Sequence, residues 1–179
     1  MRKILFSLSL LLGVLSSFAQ TDKEDWMIGG SFILNTTRNT TFSFTPSGGY
    51  FFFNNFVGGG IFNLTYDKRG DNKNTVYGFG PFARYYFLKN NIKPFIATEY
   101  TFTYTKLELP GSSSTENGGD FFVGPGLAAF VNRNVAIETM VGYINSKLRH
   151  KPSDGGVMVR IGFQVYLSPG GIIDTYRSR

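Results

Sequence analysis

Between Trp26 and Leu167 apolar residues alternate with small or polar ones at a period of two, in segments of about ten residues broken by turn chemistry. The contrast is sharpest at the end of this stretch. Val157, Val159, Ile161, Phe163, Val165 and Leu167 share one parity, while Met158, Arg160, Gly162, Gln164 and Tyr166 share the other. In the same way Tyr77, Phe79, Pro81, Ala83, Tyr85 and Phe87 oppose Gly78, Gly80, Phe82, Arg84 and Tyr86. Ile96, Tyr100, Phe102 and Tyr104 oppose Ala97, Glu99, Thr101 and Thr103. Val123, Pro125, Leu127 and Ala129 face away from Gly124 and Gly126, and Val135, Ile137, Val141 and Tyr143 from Glu138 and Gly142. Three earlier segments are weaker: Trp26 to Thr36 with Ile28, Phe32 and Leu34, Thr41 to Phe53 with Phe42 and Phe44, and Phe56 to Tyr66, whose parity is ambiguous. No segment in this range sustains a helical period, so eight strands are predicted.

The connections differ in length. Asn54-Asn55, Lys89 to Asn91 and Asn132-Arg133-Asn134 are short turns, whereas Asp67 to Asn74, Pro110 to Gly119 and Arg149 to Gly155 form longer polar stretches, with Thr37 to Thr40 short. Tight turns at one end and longer loops at the other are the habit of barrels that cross an outer membrane, with both chain ends on the periplasmic side.

Which face meets solvent decides between a soluble and a membrane barrel. A soluble barrel keeps large apolar side chains inside. Here the apolar parity is nearly free of charge, while the other combines glycine with Arg84, Glu99, Glu138 and Arg160. That composition suits the packed polar interior of a small barrel in lipid. Aromatics also gather near strand ends, Tyr66, Tyr77, Tyr104 and Tyr143 towards the loops and Trp26, Phe53, Phe56, Phe87, Phe95 and Tyr166 towards the turns, as two interfacial girdles. The expected architecture is all-β, an eight-stranded antiparallel up-and-down transmembrane β-barrel.

Composition supports this and sets its limits. Arg2 and Lys3 precede an apolar run from Ile4 to Leu15 and the small-residue site Ser17-Phe18-Ala19, so residues 1–19 are expected to be a signal peptide. Residues 20–167 form the barrel, and 168–179 a C-terminal extension. Without Cys there is no disulfide framework, no lipid-anchoring cysteine and no Cys-based metal site. Removing Arg2 and Lys3 takes two from the formal charge of +6 and leaves +4, mostly dispersed, so nucleic acid is not an expected partner. The 19 Phe, 10 Tyr and 22 Gly fit a β protein with both crowded and closely approached backbone.

The stretches Pro46-Ser47-Gly48-Gly49-Tyr50-Phe51, Gly78-Phe79-Gly80-Pro81-Phe82-Ala83-Arg84-Tyr85-Tyr86 and Gly124-Pro125-Gly126-Leu127 resemble the Gly/Pro-aromatic strands of the OmpA/OmpX-type outer-membrane β-barrel domain proteins. The resemblance covers roughly residues 24 to 167. It implies an integral protein of the bacterial outer membrane, with a structural or surface-interaction role and no wide pore. It also implies contact with outer-membrane lipid, handling by the barrel assembly machinery, and room for a surface ligand on the extracellular loops. Typical members end on an aromatic residue of the last strand, from which this chain departs by continuing from Ser168 to Arg179.

Candidate chemistry is sparse. Gly124-Pro125-Gly126-Leu127-Ala128-Ala129 matches a dinucleotide-binding pattern but leads to a turn at Asn132 rather than a helix, and Gly58-Gly59-Gly60 lacks the lysine of a phosphate loop. His150, the single histidine, lies near Ser153 and Asp154, but residues so close in sequence rarely converge as a triad, and Lys147, Arg149 and Lys151 make the stretch a basic rim. No enzyme, cofactor or metal site is expected. An enzyme acting on envelope lipid and a periplasmic lipocalin-like carrier are the alternative readings. The site that register singles out is structural. Arg84, Glu99, Glu138 and Arg160 lie on the non-lipid parity at similar depths and are expected to form an interior charge network in which Arg160 and Glu138 compensate.

Overall fold

The computed structural model describes residues 21–35, 40–88, 90–149 and 152–169. The expected signal peptide, His150, Lys151 and all but Ser168 and Pro169 of the C-terminal extension lie outside the described residues.

Eight antiparallel strands follow one another around a closed barrel: β1 (Trp26–Asn35), β2 (Thr40–Phe53), β3 (Phe56–Arg69), β4 (Asn72–Tyr86), β5 (Ile92–Leu109), β6 (Ser112–Phe130), β7 (Val135–Leu148) and β8 (Asp154–Leu167). Each pairs with its sequence neighbour, and β8 returns to β1 to close the cylinder. The seams are unequal. β5 and β6 pair without interruption from Ile92–Ala129 to Leu109–Ser112, whereas β1 and β8 pair only from Trp26–Leu167 to Ser31–Gly162. Trp26 and Leu167 lie at the end that carries the short turns, so both ends of the barrel chain meet there.

Two stretches expected as long loops are instead continuations of strands. β3 and β4 pair up to Arg69–Asn72 around Gly70-Asp71, and β5 and β6 up to Leu109–Ser112 around Pro110-Gly111. Gly70 (φ 60°) and Gly111 (φ 80°) take the left-handed conformation that a two-residue hairpin turn requires. The expected polar stretches Asp67 to Asn74 and Pro110 to Gly119 are thus hairpin ribbons. Where a ribbon stands clear of the barrel both faces meet water, so the strand persists while its apolar alternation fades.

Alternation sets the two faces within the barrel wall. Trp26, Ile28, Phe32, Phe79, Phe102, Leu127, Ile137, Val159, Ile161 and Phe163 point outward and are exposed, Phe79 at 65%. Met27, Phe51, Val57, Phe82, Phe122, Met140 and Gln164 point inward and are buried. For β3, whose parity the sequence leaves ambiguous, Val57 and Ile61 face in and Phe62 faces out. Two aromatics expected in the turn-end girdle belong inside: Phe95 and Tyr166 are buried, 1% and 0% exposed. Each follows its own parity, Phe95 that of Ala97 and Glu99 and Tyr166 that of Arg160, so position near a strand end does not outweigh alternation. Phe95 lies over Gly126, where the ring occupies the space a Cβ would need.

Candidate functional site: a charge ladder in the bore

At the turn end the bore is filled by rings. Phe51, Tyr86, Phe95, Phe130 and Tyr166 are contributed by five different strands, with centroid separations of 5.1 Å for Tyr86–Phe95 and 4.9 Å for Phe130–Tyr166. Such tilted contacts are favourable beyond the area they bury. A short segment before β1 closes the floor. Thr21 is buried, accepts a hydrogen bond from Lys93 Nζ at 2.7 Å and donates to Asn55 Oδ1 at 2.8 Å. Lys93 also lies 5.4 Å from the Phe130 ring centroid, which helps offset the cost of burying its ammonium. Asp25 accepts a hydrogen bond from the Ser168 hydroxyl, tying the start of β1 to the end of β8. Burial raises the Asp25 carboxyl above its ordinary value, partly offset by the Ser168 bond.

Above the rings the four charged residues come together as an alternating chain. Arg84 Nη1 donates to Glu138 Oε2 at 2.7 Å, while its Nη2 lies 3.7 Å from Glu99 Oε1. Glu99 accepts from Arg160 Nη1 at both oxygens, at 3.0 and 2.7 Å. The order along the bore is therefore Glu138, Arg84, Glu99, Arg160. The expected direct compensation of Arg160 by Glu138 does not match these contacts, since Glu99 holds Arg160 and Arg84 holds Glu138. Arg84, Glu99 and Glu138 are 2%, 4% and 2% exposed. Charges taken this far from water need partners on every side to recover their lost hydration. Phenols and rings supply further contacts, although Arg84 Nε is without a hydrogen-bond partner. Tyr86 and Tyr166 both donate to Glu138 Oε1, at 3.0 and 2.7 Å. The Arg84 guanidinium lies 5.0 Å from the Phe82 centroid, and that of Arg160 5.3 Å from Phe122.

The ladder is also a boundary. Beside its lower rung, Arg84 and Glu138 line a cavity of about 10 Å³, room for a single water. Above Arg160 and Glu99 the bore widens into a vestibule of about 170 Å³ lined by Ser43, Thr45, Asn63, Thr65, Thr101 and Asp120. Among the described residues no group of three or more His, Cys, Asp or Glu is placed to hold a metal ion. Chemically, the arrangement neutralises its own charge and obstructs the bore.

Sequence reasoning passed over Lys93 and the hydroxyl roles of Tyr86 and Tyr166. Parity carried the signal, because Lys93 is on the face of Glu99, Tyr86 on that of Arg84 and Tyr166 on that of Arg160.

No protein-family model matches the chain, and no curated protein matches it in sequence. Solved structures do match it in shape. Neisserial surface protein A, NspA, superposes with a TM-score of 0.58 at 20% identity, covering 79% of this chain and 92% of that one. The N-terminal β-barrel domain of OprF from Pseudomonas aeruginosa gives 0.56 at 13% identity, over 81% of this chain and 98% of its own. The outer membrane protein OprG from the same organism gives 0.50 at 12% identity, over 82% and 97%. These likenesses show the fold, that of the small outer-membrane barrel of the OmpA/OmpX type.

Proposed function

We propose that this barrel resides in the bacterial outer membrane as an integral, non-enzymatic protein that stabilises the envelope or engages a surface ligand through its protruding hairpins. One observation carries the reading: the wall of the barrel turns a band of large apolar side chains outward while Arg84, Glu99 and Glu138 are buried in its bore. In water this would expose Phe79, Phe102, Val159 and Ile161 while burying Arg84, Glu99 and Glu138. In lipid the same arrangement is favourable, since a charge on the outer face at the bilayer midplane costs about 2 to 4 kcal/mol. The obstructed bore supports a structural role over conduction. Export by a signal peptide at residues 1–19 and insertion by the barrel assembly machinery complete the proposal.

The test is direct. The mature protein extracted from membranes should migrate differently in detergent gels before and after boiling, and recovery as a detergent-free soluble monomer would refute the reading in favour of a soluble carrier. Single cysteines at Asn72, Ser113 and Ser153 should react with an impermeant thiol reagent on intact cells, and one at Asn134 should not. Equal labelling at both ends would refute the orientation.

A further inference from the structure

The outer wall is not uniform. Across β1 to β5 the register stacks distinct layers of outward residues. Ile28, Gly48, Gly60 and Pro81 are successive cross-strand partners. One layer nearer the hairpins come Phe62, Phe79 and Phe102, then Leu64, Tyr77 and Tyr104, then Tyr66, Thr75 and Lys106, and last Lys68, Lys73 and Glu108. The lower layers are concave. A groove of about 650 Å³ runs over Gly48, Gly60 and Pro81, and a second of about 480 Å³ lies beneath Tyr77 and Tyr104, the two sharing Phe62, Phe79 and Phe102 as walls.

Charge sits at the upper end of this groove. Lys106, paired with Thr75, lies one layer above Tyr77 and Tyr104 on the same outward face, at the groove's mouth. Glu108 bridges Lys106 at 2.6 Å and interacts with Lys73. Lys68 lies opposite Lys73, and all three lysines are exposed. Three ammonium groups against one carboxylate leave the patch positive by two charges.

We infer that this face holds one anionic, phosphate-headed acyl lipid of the outer leaflet, with its chains in the groove and its headgroup on Lys68, Lys73 and Lys106. The inference rests on the outer-membrane reading above and specifies which lipid that membrane contact selects. The dimensions agree. From Gly60 to Lys68 the strand climbs about 27 Å, or about 20 Å of height at a tilt of about 40°. That matches the roughly 15 Å of one hydrocarbon leaflet together with its headgroup zone. The chemistry agrees as well: rings and small residues at acyl depth, phenols at the interface where amphipathic rings settle, and ammonium groups at phosphate height.

The barrel is reconstituted in nanodiscs of phosphatidylcholine containing a minor fraction of phosphatidylglycerol, and the lipid retained is identified by native mass spectrometry. Wild type should retain one phosphatidylglycerol well above its share of the bilayer. A lysine near the membrane surface favours an anionic lipid by about fivefold, so each Lys→Gln change at 68, 73 or 106 should reduce the enrichment several-fold, and the triple variant should retain the bulk ratio. Glu108→Gln should raise it. Gly60→Leu, at a position where a side chain meets open space, should lower it by filling the groove. Retention at the bulk ratio by wild type, enrichment unchanged in the triple variant, or a second barrel copy retained in place of lipid would overturn the inference. A heat-shift gel on every sample separates the two failures. A barrel that does not shift refutes the membrane reading, while one that shifts but shows no selectivity refutes only the lipid site.

Discussion

The two halves of the bore are built from the same alternating strands but solve different problems. Towards the turns, five aromatic rings, Met27, Val57 and the Glu138–Arg84 rung leave almost no free volume. Towards the hairpins, hydroxyls and amides such as Ser43, Thr45, Asn63, Thr65 and Thr101 surround an open vestibule. The first half is a core in which most polar groups are committed to a partner, Arg84 Nε and Gln164 Oε1 being the exceptions. The second is lined with groups that water can satisfy, so individual side chains there carry little of the fold. A barrel of eight strands can thus confine its rigidity to one end and leave the other free for variation.

Substitutions at the two ends of the bore should have unequal effects. The largest loss is expected from Arg84→Met, which strands Glu138 and Glu99 together in the bore. Urea unfolding in lipid vesicles should show a loss of about 3 to 5 kcal/mol, and adding Glu138→Leu should return part of it. A loss below about 1 kcal/mol would mean that water enters the lower half. Arg160→Met, at the boundary and with 15% of its side chain exposed, should lose less, about 1 to 3 kcal/mol. Its recovery should come from Glu99→Gln and not from Glu138→Gln, and the reverse result in a double-mutant cycle would dissolve the order of the ladder. In the open half, Thr45→Val, at a half-buried position lining the vestibule, should change stability by no more than about 0.5 kcal/mol, and a larger effect would extend the core upward.

The smallest expected effect concerns the floor. Asp25 is a carboxyl whose folded value is raised by burial, so its ionised form is the one disfavoured by folding. Its contribution is most favourable below the unfolded carboxyl value, near pH 4, and declines as pH rises through the raised folded value. Asp25→Asn should therefore flatten the stability profile over that window and gain about a few tenths of a kcal/mol at neutral pH. Unfolding midpoints measured from pH 4 to 7 check the sign, and a profile unchanged by the substitution contradicts it.

What the sequence could convey follows from what period two encodes. It separates the faces, so the inward placement of Arg84, Glu99, Glu138 and Arg160 was readable wherever the outer face needed apolar residues. It does not encode which inward residue meets which across the bore, because that depends on the barrel's shear, and shear is a property of the closed sheet. Hence the four charges could be grouped while the pairing of Arg160 with Glu99 could not. The stretch from Pro110 to Gly119 reads as a loop for a different reason: water on both sides removes the contrast that makes alternation visible. Phe95 and Tyr166 were misplaced although parity identified their face.

The unequal seams bear on how the cylinder comes into being. Seven of the eight seams join strands adjacent in sequence, each able to zip outward from its own connection at small loop-closure cost. The β1–β8 seam alone must bring the two ends of the barrel chain together, and it has the fewest rungs to reward that search. Closure is therefore expected to be the slowest of these pairings to form. The bond between Ser168 and Asp25 and the seating of Thr21 on Lys93 act at the same edge, as a latch on the last gap to shut.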